Sequence, residues 1–283
     1  MPRHFSVVDA ARVALFVLAI FATAEQVAAQ EAACNDDIGE ASSRLRYSYQ
    51  SQLTRCMKFG AFATCEEAGF HVVEAQQDAR RIITSPTGSC AQAVDEGVLL
   101  TDVGPGTCPP ADAHCDERIG DITSLDDLAE CVVCMQEGFD AAYRLQLDMP
   151  VTTPANVNER KCIRSVVGKS LKAIRAGIRD VERCARGGVS PFACAANDDP
   201  ATKFGRAQTQ VSNAIDRCKD ASGQTGSVSG DSALLCHGTA PTASDLLACA
   251  QATARCLVCS HANGVYQQSQ DCVVFAGIPC GVP

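Results

Sequence analysis

Apolar residues recur every three or four positions along most of this chain, and no stretch alternates convincingly at a period of two. That pattern predicts amphipathic helices and very little strand. It is clearest over 159–184, where Ile163, Val167, Leu171, Ile174, Ile178 and Val181 form one stripe. Gly187-Gly188 then stops the helix and Ser190-Pro191 turns the chain. Asp199-Pro200 reads as an N-cap followed by proline at the first helical position, opening a second helix with Phe204, Ala207, Val211, Ile215 and Cys218 on its stripe. After a Gly/Ser-rich loop at 222–230, Ser244-Asp245 reads as the cap of a third helix carrying Leu246, Leu247, Ala250 and Leu257.

The preceding half has the same outline. Ile38, Ala41, Leu45, Tyr49 and Leu53 form a first stripe after a cap region at Asn35-Asp36-Asp37. A second helix is predicted over 66–83, ended by Ser85-Pro86, followed by a Gly/Pro loop at 104–110. Leu125, Leu128, Val132, Met135 and Phe139 mark a third helix capped near Thr123 or Ser124. Residues 149–158 hold two prolines and two threonines and read as a linker.

The cysteines show that this likeness is a duplication. Cys34, Cys56, Cys65, Cys90 and Cys108 return as Cys162, Cys184, Cys194, Cys218 and Cys236 at offsets of 128, 128, 129, 128 and 128 residues. The Cys131-Val-Val-Cys134 pair returns as Cys256-Leu-Val-Cys259 at an offset of 125. Chance does not keep seven positions in step, so the expected fold is all-α, with two tandem disulfide-stapled three-helix modules at 30–148 and 159–283.

Antiparallel helices of similar length must meet at their turn and at their open end. In each module the cysteine ending helix one therefore faces the one preceding helix two, and the outer pair closes the other end. The expected bridges are Cys34–Cys90 with Cys56–Cys65, and Cys162–Cys218 with Cys184–Cys194. Cys108 and Cys115 should pair with Cys131 and Cys134, tying the third helix to the loop before it. Cys236, Cys249, Cys256, Cys259, Cys272 and Cys280 have no order from spacing, although Cys272 and Cys280 are close enough to bridge each other.

Even cysteine parity in each module suits an oxidising compartment. Residues 1–29 read as a secretory signal: Arg3 and Arg12, an apolar run at 13–24, and small residues at Val27-Ala28-Ala29. That run is too short for the roughly 20 residues of a bilayer span, and no other stretch could supply one. A secreted, periplasmic or cell-envelope location is expected, with no stable membrane span after cleavage. Aromatics are only 5% of the chain and Trp is absent, so the cores should be shallow and crosslinks should carry stability that packing does not.

The cysteine offsets of 22, 9 and 25, the Gly-rich loop, and the ends SLDDLAECVVC and ASDLLACAQATARCLVC resemble the tandem cysteine-rich helical repeats of exported proteins from deltaproteobacterial and related genomes. The resemblance covers nearly all of 34–283. That family has no established activity, so the resemblance implies export and a helical fold but no sites. A looser similarity, to coiled-coil–helix–coiled-coil–helix proteins, is architectural only, because those carry nine-residue cysteine spacings within helices.

Residues that could carry chemistry have simpler structural readings. A CxxC dithiol active in redox chemistry needs a thiolate and flanking strands, and haem attachment needs His directly after the motif, where Met135 and Ser260 stand. His114-Cys115, Cys236-His237 and Cys259-Ser260-His261 have metal-ligand residue types, but oxidised cysteines cannot ligate. Glu66-Glu67, Asp112/Asp116 and Asp126-Asp127 fit helix starts, and no hydrolase motif is present. No catalytic, cofactor or metal residue is therefore assigned. The expected role is non-catalytic binding or structural interaction, and the alternative is redox or metal handling by the two CxxC pairs.

Charge sharpens the binding reading. Residues 31–148 carry 21 acidic and 8 basic side chains, a net −13, whereas 149–283 carry 10 and 14, a net +4. Lys161, Lys172, Arg175, Arg179, Arg183 and Arg186 cluster on one helix opposite its apolar stripe. Such a face suits an anionic partner: the acidic first module, another copy, another protein or an acidic envelope polymer. Nucleic acid is not expected of an exported chain with net charge −9 and no Trp.

Overall fold

The computed structural model describes residues 7–59, 70–105, 108, 121–146, 156–195, 201–219, 222–226, 228, 235–236, 242–266, 270–277 and 280. Over these the chain is helical with no strand, and an isolated bridge joins Lys219 and Thr225. In chain order the helices are α1 (Val7–Phe59), α2 (Phe70–Thr84), α3 (Ser89–Asp95), α4 (Leu125–Gln146), α5 (Val157–Arg186), α6 (Pro191–Ala195), α7 (Lys203–Asp216), α8 (Ala243–Tyr266) and α9 (Cys272–Ala276). The three short helices, α3, α6 and α9, were not anticipated by the hydrophobic pattern; each carries a cysteine held in a bridge.

The apolar stripes bury as two clusters. One joins α1, α2, α3 and α4 through Ile38, Leu45, Ile83, Leu128 and Val132. The other joins α5, α7 and α8 through Ile163, Ile174, Phe204, Val211 and Val258. They interlock: Leu53 of α1 and Tyr143 of α4 belong to the second, and Val265 of α8 to the first. The Tyr143 hydroxyl donates to the Val167 carbonyl at 3.1 Å, satisfying a polar group buried by that exchange.

Several helix starts differ from those expected. Asn35-Asp36-Asp37 does not begin a helix, because α1 runs unbroken through it from Val7. Two of its side chains cap other elements instead. Asp37 Oδ2 accepts from the Ser89 amide at 3.2 Å, the first residue of α3, and Asn35 Oδ1 accepts from Gly104 N at 2.8 Å. The latter fixes a glycine at φ +58° that approaches Ile38 and Leu128 too closely for an ordinary side chain. The cap of α7 is Thr202, whose Oγ1 accepts from Gly205 N at 2.9 Å; 199–200 lie outside the described residues. Nor does Ser244 cap α8: Thr242 Oγ1 accepts from Asp245 N at 3.2 Å while Asp245 Oδ2 accepts from Thr242 N. That reciprocal box is matched at α4, where Ser124 Oγ accepts from Asp127 N at 3.1 Å and Asp127 accepts from Thr123.

The bridges staple the helix ends. Cys34 joins Cys90 and Cys162 joins Cys218, each across 56 residues. Cys184 joins Cys194, and Cys108 joins Cys131. Cys134 is also disulfide-bonded. Cys56 lies in the last turn of α1, whereas Cys65 and Cys115 lie outside the described residues. At the C-terminal end Cys236 joins Cys249, Cys256 joins Cys280, and Cys259 joins Cys272. Cys272 and Cys280 therefore do not bridge each other. The reason is that α9 packs on α8, so both sulfurs meet the CxxC turn of α8 before they meet one another. Among the described residues no cysteine is free, and no helix is long and apolar enough to cross a membrane.

Candidate functional site

Where the two clusters meet, α1 presents three faces. Ile38, Ala41 and Leu45 enter the first cluster. Ser42, Arg46 and Gln50, spaced by four and so stacked on one stripe, are buried polar residues. Arg44, Tyr47, Ser48, Ser51 and Arg55 open onto a groove.

Arg46 is the centre of the buried stripe. Its Nε donates to Gln136 Oε1 of α4 at 2.8 Å, and its Nη2 meets His261 Nδ1 of α8 at 3.1 Å. A guanidinium only donates, so Nδ1 must accept and the ring proton of His261 sits on Nε2. The guanidinium also lies 4.7 Å from the centroid of the Phe139 ring, a cation–π contact. Burial lowers the Arg46 pKa to about 9, against which the Glu182 carboxylate of α5 acts. His261 is held well below the usual histidine range by burial, and then by the Arg46 charge. Glu182 is pushed up by burial while accepting a hydrogen bond from Ser43 Oγ at 2.7 Å.

This junction reverses the expected electrostatics. Residues 31–148 supply its cation, Arg46, and residues 149–283 its carboxylate, Glu182. Among the described residues no carboxylate of 31–148 lies within ion-pair distance of the predicted basic face of α5. Arg183 pairs with Asp180 of its own helix at 3.0 Å. Arg175 donates to Gln50 and lies over the Tyr47 ring at 4.5 Å, while burial lowers its pKa. α5 is joined to α1 by hydrogen bonding, by cation–π contact and by the packing of Leu53 into the second cluster.

Beside the junction, α1, α2 and α5 enclose an open groove of about 1180 Å³. Its α5 wall holds Arg164, Lys169, Lys172 and Arg175; its α1 wall adds Arg44 and Arg55 together with hydroxyls; its α2 wall holds His71, Glu74 and Asp78. Six Lys or Arg side chains thus face two carboxylates. Arg44 is paired with Glu40 of its own helix, whereas Lys172 and Arg55 have no ion-pair partner among the described residues. Of the six basic residues singled out from the sequence, Lys172 and Arg175 line the groove. The pattern did not single out Arg44, Arg55, Arg164 or Lys169. The recurrence Arg164, Lys169, Lys172, Arg175 at spacings of five, three and three was the available signal.

The CxxC pairs hold no dithiol. Cys131, Cys256 and Cys259 are each bonded to a cysteine outside the motif, and all four sulfurs belong to buried residues. A sulfur in a disulfide is neither a nucleophilic thiolate nor a metal ligand. His261 faces Arg46 instead of a metal site, and His114 and His237 lie outside the described residues, as do Glu66, Glu67, Asp112 and Asp116. Among the described residues no group of three His, Cys, Asp or Glu side chains is placed to hold a metal. No protein-family model, curated protein or solved structure matches this chain.

Proposed function

We propose that this chain is an exported, non-catalytic binding protein of two tandem disulfide-stapled three-helix modules, acting outside the cell or at its envelope, and that the groove between α1, α2 and α5 binds an anionic partner. The observation that carries the binding reading is the groove's lining of six cations against two carboxylates in a chain whose net charge is −9. Cations gathered on low-dielectric walls focus positive potential locally, whatever the sign of the whole molecule. The repeated cysteine ladder, its bridges and the signal-like start support export. Arg46 and His261, both strongly altered by burial, are sealed from solvent at 7% and 0% exposure, which suits cohesion of the junction better than catalysis.

The test is retention on immobilised dextran sulfate. A protein of net charge −9 should pass straight through such a matrix unless it carries a local basic site. The oxidised wild-type protein should be retained at low salt and released as rising ionic strength shortens screening to about 8 Å. Lys172→Glu with Arg55→Glu should abolish retention without altering the helical circular-dichroism spectrum. Passage of the wild-type protein at about 10 mM salt, where screening reaches roughly 30 Å, would refute the reading.

A further inference from the structure

From the unlike walls of the groove we infer that its ligand is an acidic polysaccharide segment; the inference rests on the binding reading above and specifies the class of ligand. A groove meant for a uniformly charged polymer would be basic on all sides. Here the α5 wall carries the ladder Arg164, Lys169, Lys172 and Arg175, while α2 opposes it with Glu74 and Asp78. Glu74 lies 3.6 Å from His71 and Asp78 accepts from Arg81 at 2.8 Å, each within α2, but the side chains are 51% and 49% exposed, so each carboxylate keeps an accepting face toward a ligand. A ligand must then offer anions to one side and hydrogen-bond donors to the other. A glycan bearing carboxylates on some positions and hydroxyls on the rest does both. A polyphosphate does not, because every unit would face the α2 carboxylates with like charge.

The remaining lining agrees. Ser48 and Ser51 add hydroxyls on the α1 wall, and Tyr47, an exposed residue, has the Arg175 guanidinium over one face of its ring and the other face to offer. An exposed aromatic face packs well against the C–H face of a sugar. An extended peptide finds no strand edge to pair with among the described residues. Arg44 to Arg55 on α1 and Arg164 to Arg175 on α5 each cover about 16 Å of helix, a wall long enough for a few sugar units.

Titration calorimetry of the oxidised full chain with a uronate oligosaccharide, polyphosphate of matched charge, an acidic peptide of matched charge and a neutral glucan tests this. The uronate oligomer should bind at least about tenfold tighter than each of the others, the margin expected from two or more charge-assisted hydrogen bonds. Glu74→Gln with Asp78→Asn should weaken uronate binding about tenfold yet leave polyphosphate binding unchanged or tighter. Tyr47→Ala should weaken the uronate selectively. If uronate and polyphosphate bind alike, and the amide substitutions strengthen both, the groove is a general anion site: the glycan inference falls and the binding reading stands. Tighter peptide binding also overturns the inference. If no polyanion binds and dextran sulfate retains nothing, both fall together.

Discussion

Gly177 and Gly168 sit nine residues apart in α5 and should respond oppositely to the same substitution. A Cβ built at Gly177 would lie 2.5 Å from Val258 Cγ2 of α8 and 3.0 Å from Phe204 Cδ2 of α7, whereas one at Gly168 meets nothing within 4 Å. Both neighbours of Gly177 are fully buried. Val258 is β-branched and within a helix, so its χ1 has essentially one well and cannot swing aside. Replacing glycine by alanine inside a helix gains about 0.8–1 kcal/mol at either position. Overpacking a tight core costs about 1–3 kcal/mol. Gly168→Ala should therefore stabilise by about 1 kcal/mol, and Gly177→Ala should destabilise by up to about 2 kcal/mol. The propensity gain is common to both, so their difference isolates the packing cost at roughly 1–3 kcal/mol. Urea unfolding with disulfides intact measures it as opposite shifts of the midpoint at unchanged slope. Adding Val258→Ala to Gly177→Ala should recover part of the loss, a coupling the single variants cannot show. Equal stabilisation by both alanines would mean that α5 and α8 do not approach this closely at Gly177.

Two further outcomes are expected. His261 is held neutral in the fold, well below its ordinary pKa of 6.5, so the unfolded chain takes up a proton that the folded chain refuses. Stability should be full above that pH and fall below it by up to about 1.4 kcal/mol per pH unit, and His261→Gln should remove that slope; an unchanged slope would show the ring to be solvated. Glu182, raised by burial, contributes with the opposite sign in more acid solution, which is why the variant and not the absolute curve is the measure. Removing Cys34–Cys90 or Cys162–Cys218 by paired alanines should cost about 4 kcal/mol, the closed loops being 56 residues. Removing Cys184–Cys194 with its separation of 10 should cost about 2.7 kcal/mol. A reversed order of urea midpoints would show that loop closure is not what these bridges contribute.

The long helices and the bridges Cys34–Cys90, Cys162–Cys218 and Cys184–Cys194 were legible in the chain because both are set by spacing. Stripes such as Ile163 to Val181 need only a period near 3.6 to declare a buried face. A chain that turns back after α5 and packs α7 along it leaves Cys162 little choice but to meet Cys218, although α7 has only 14 residues to the 30 of α5. Local capping was legible in kind but not in address: Asp37 and Asn35 are capping residues that cap α3 and a loop instead of their own helix, because α1 has no reason to break there. Only the tertiary structure decided the rest. Which sulfurs meet Cys256 and Cys259 depends on how α9 lies against α8, and a list of spacings holds no such angle. Arg46 and His261 are 215 residues apart, and neither shows in its local sequence that the other will satisfy it. The groove likewise joins side chains of three helices whose charges, summed along the chain, predicted attraction between an acidic and a basic half. Charge totals carry no direction. Packing turned Arg46 and Glu182 inward and left Lys172 and Arg55 facing solvent, and that placement is what makes an acidic protein basic in one place.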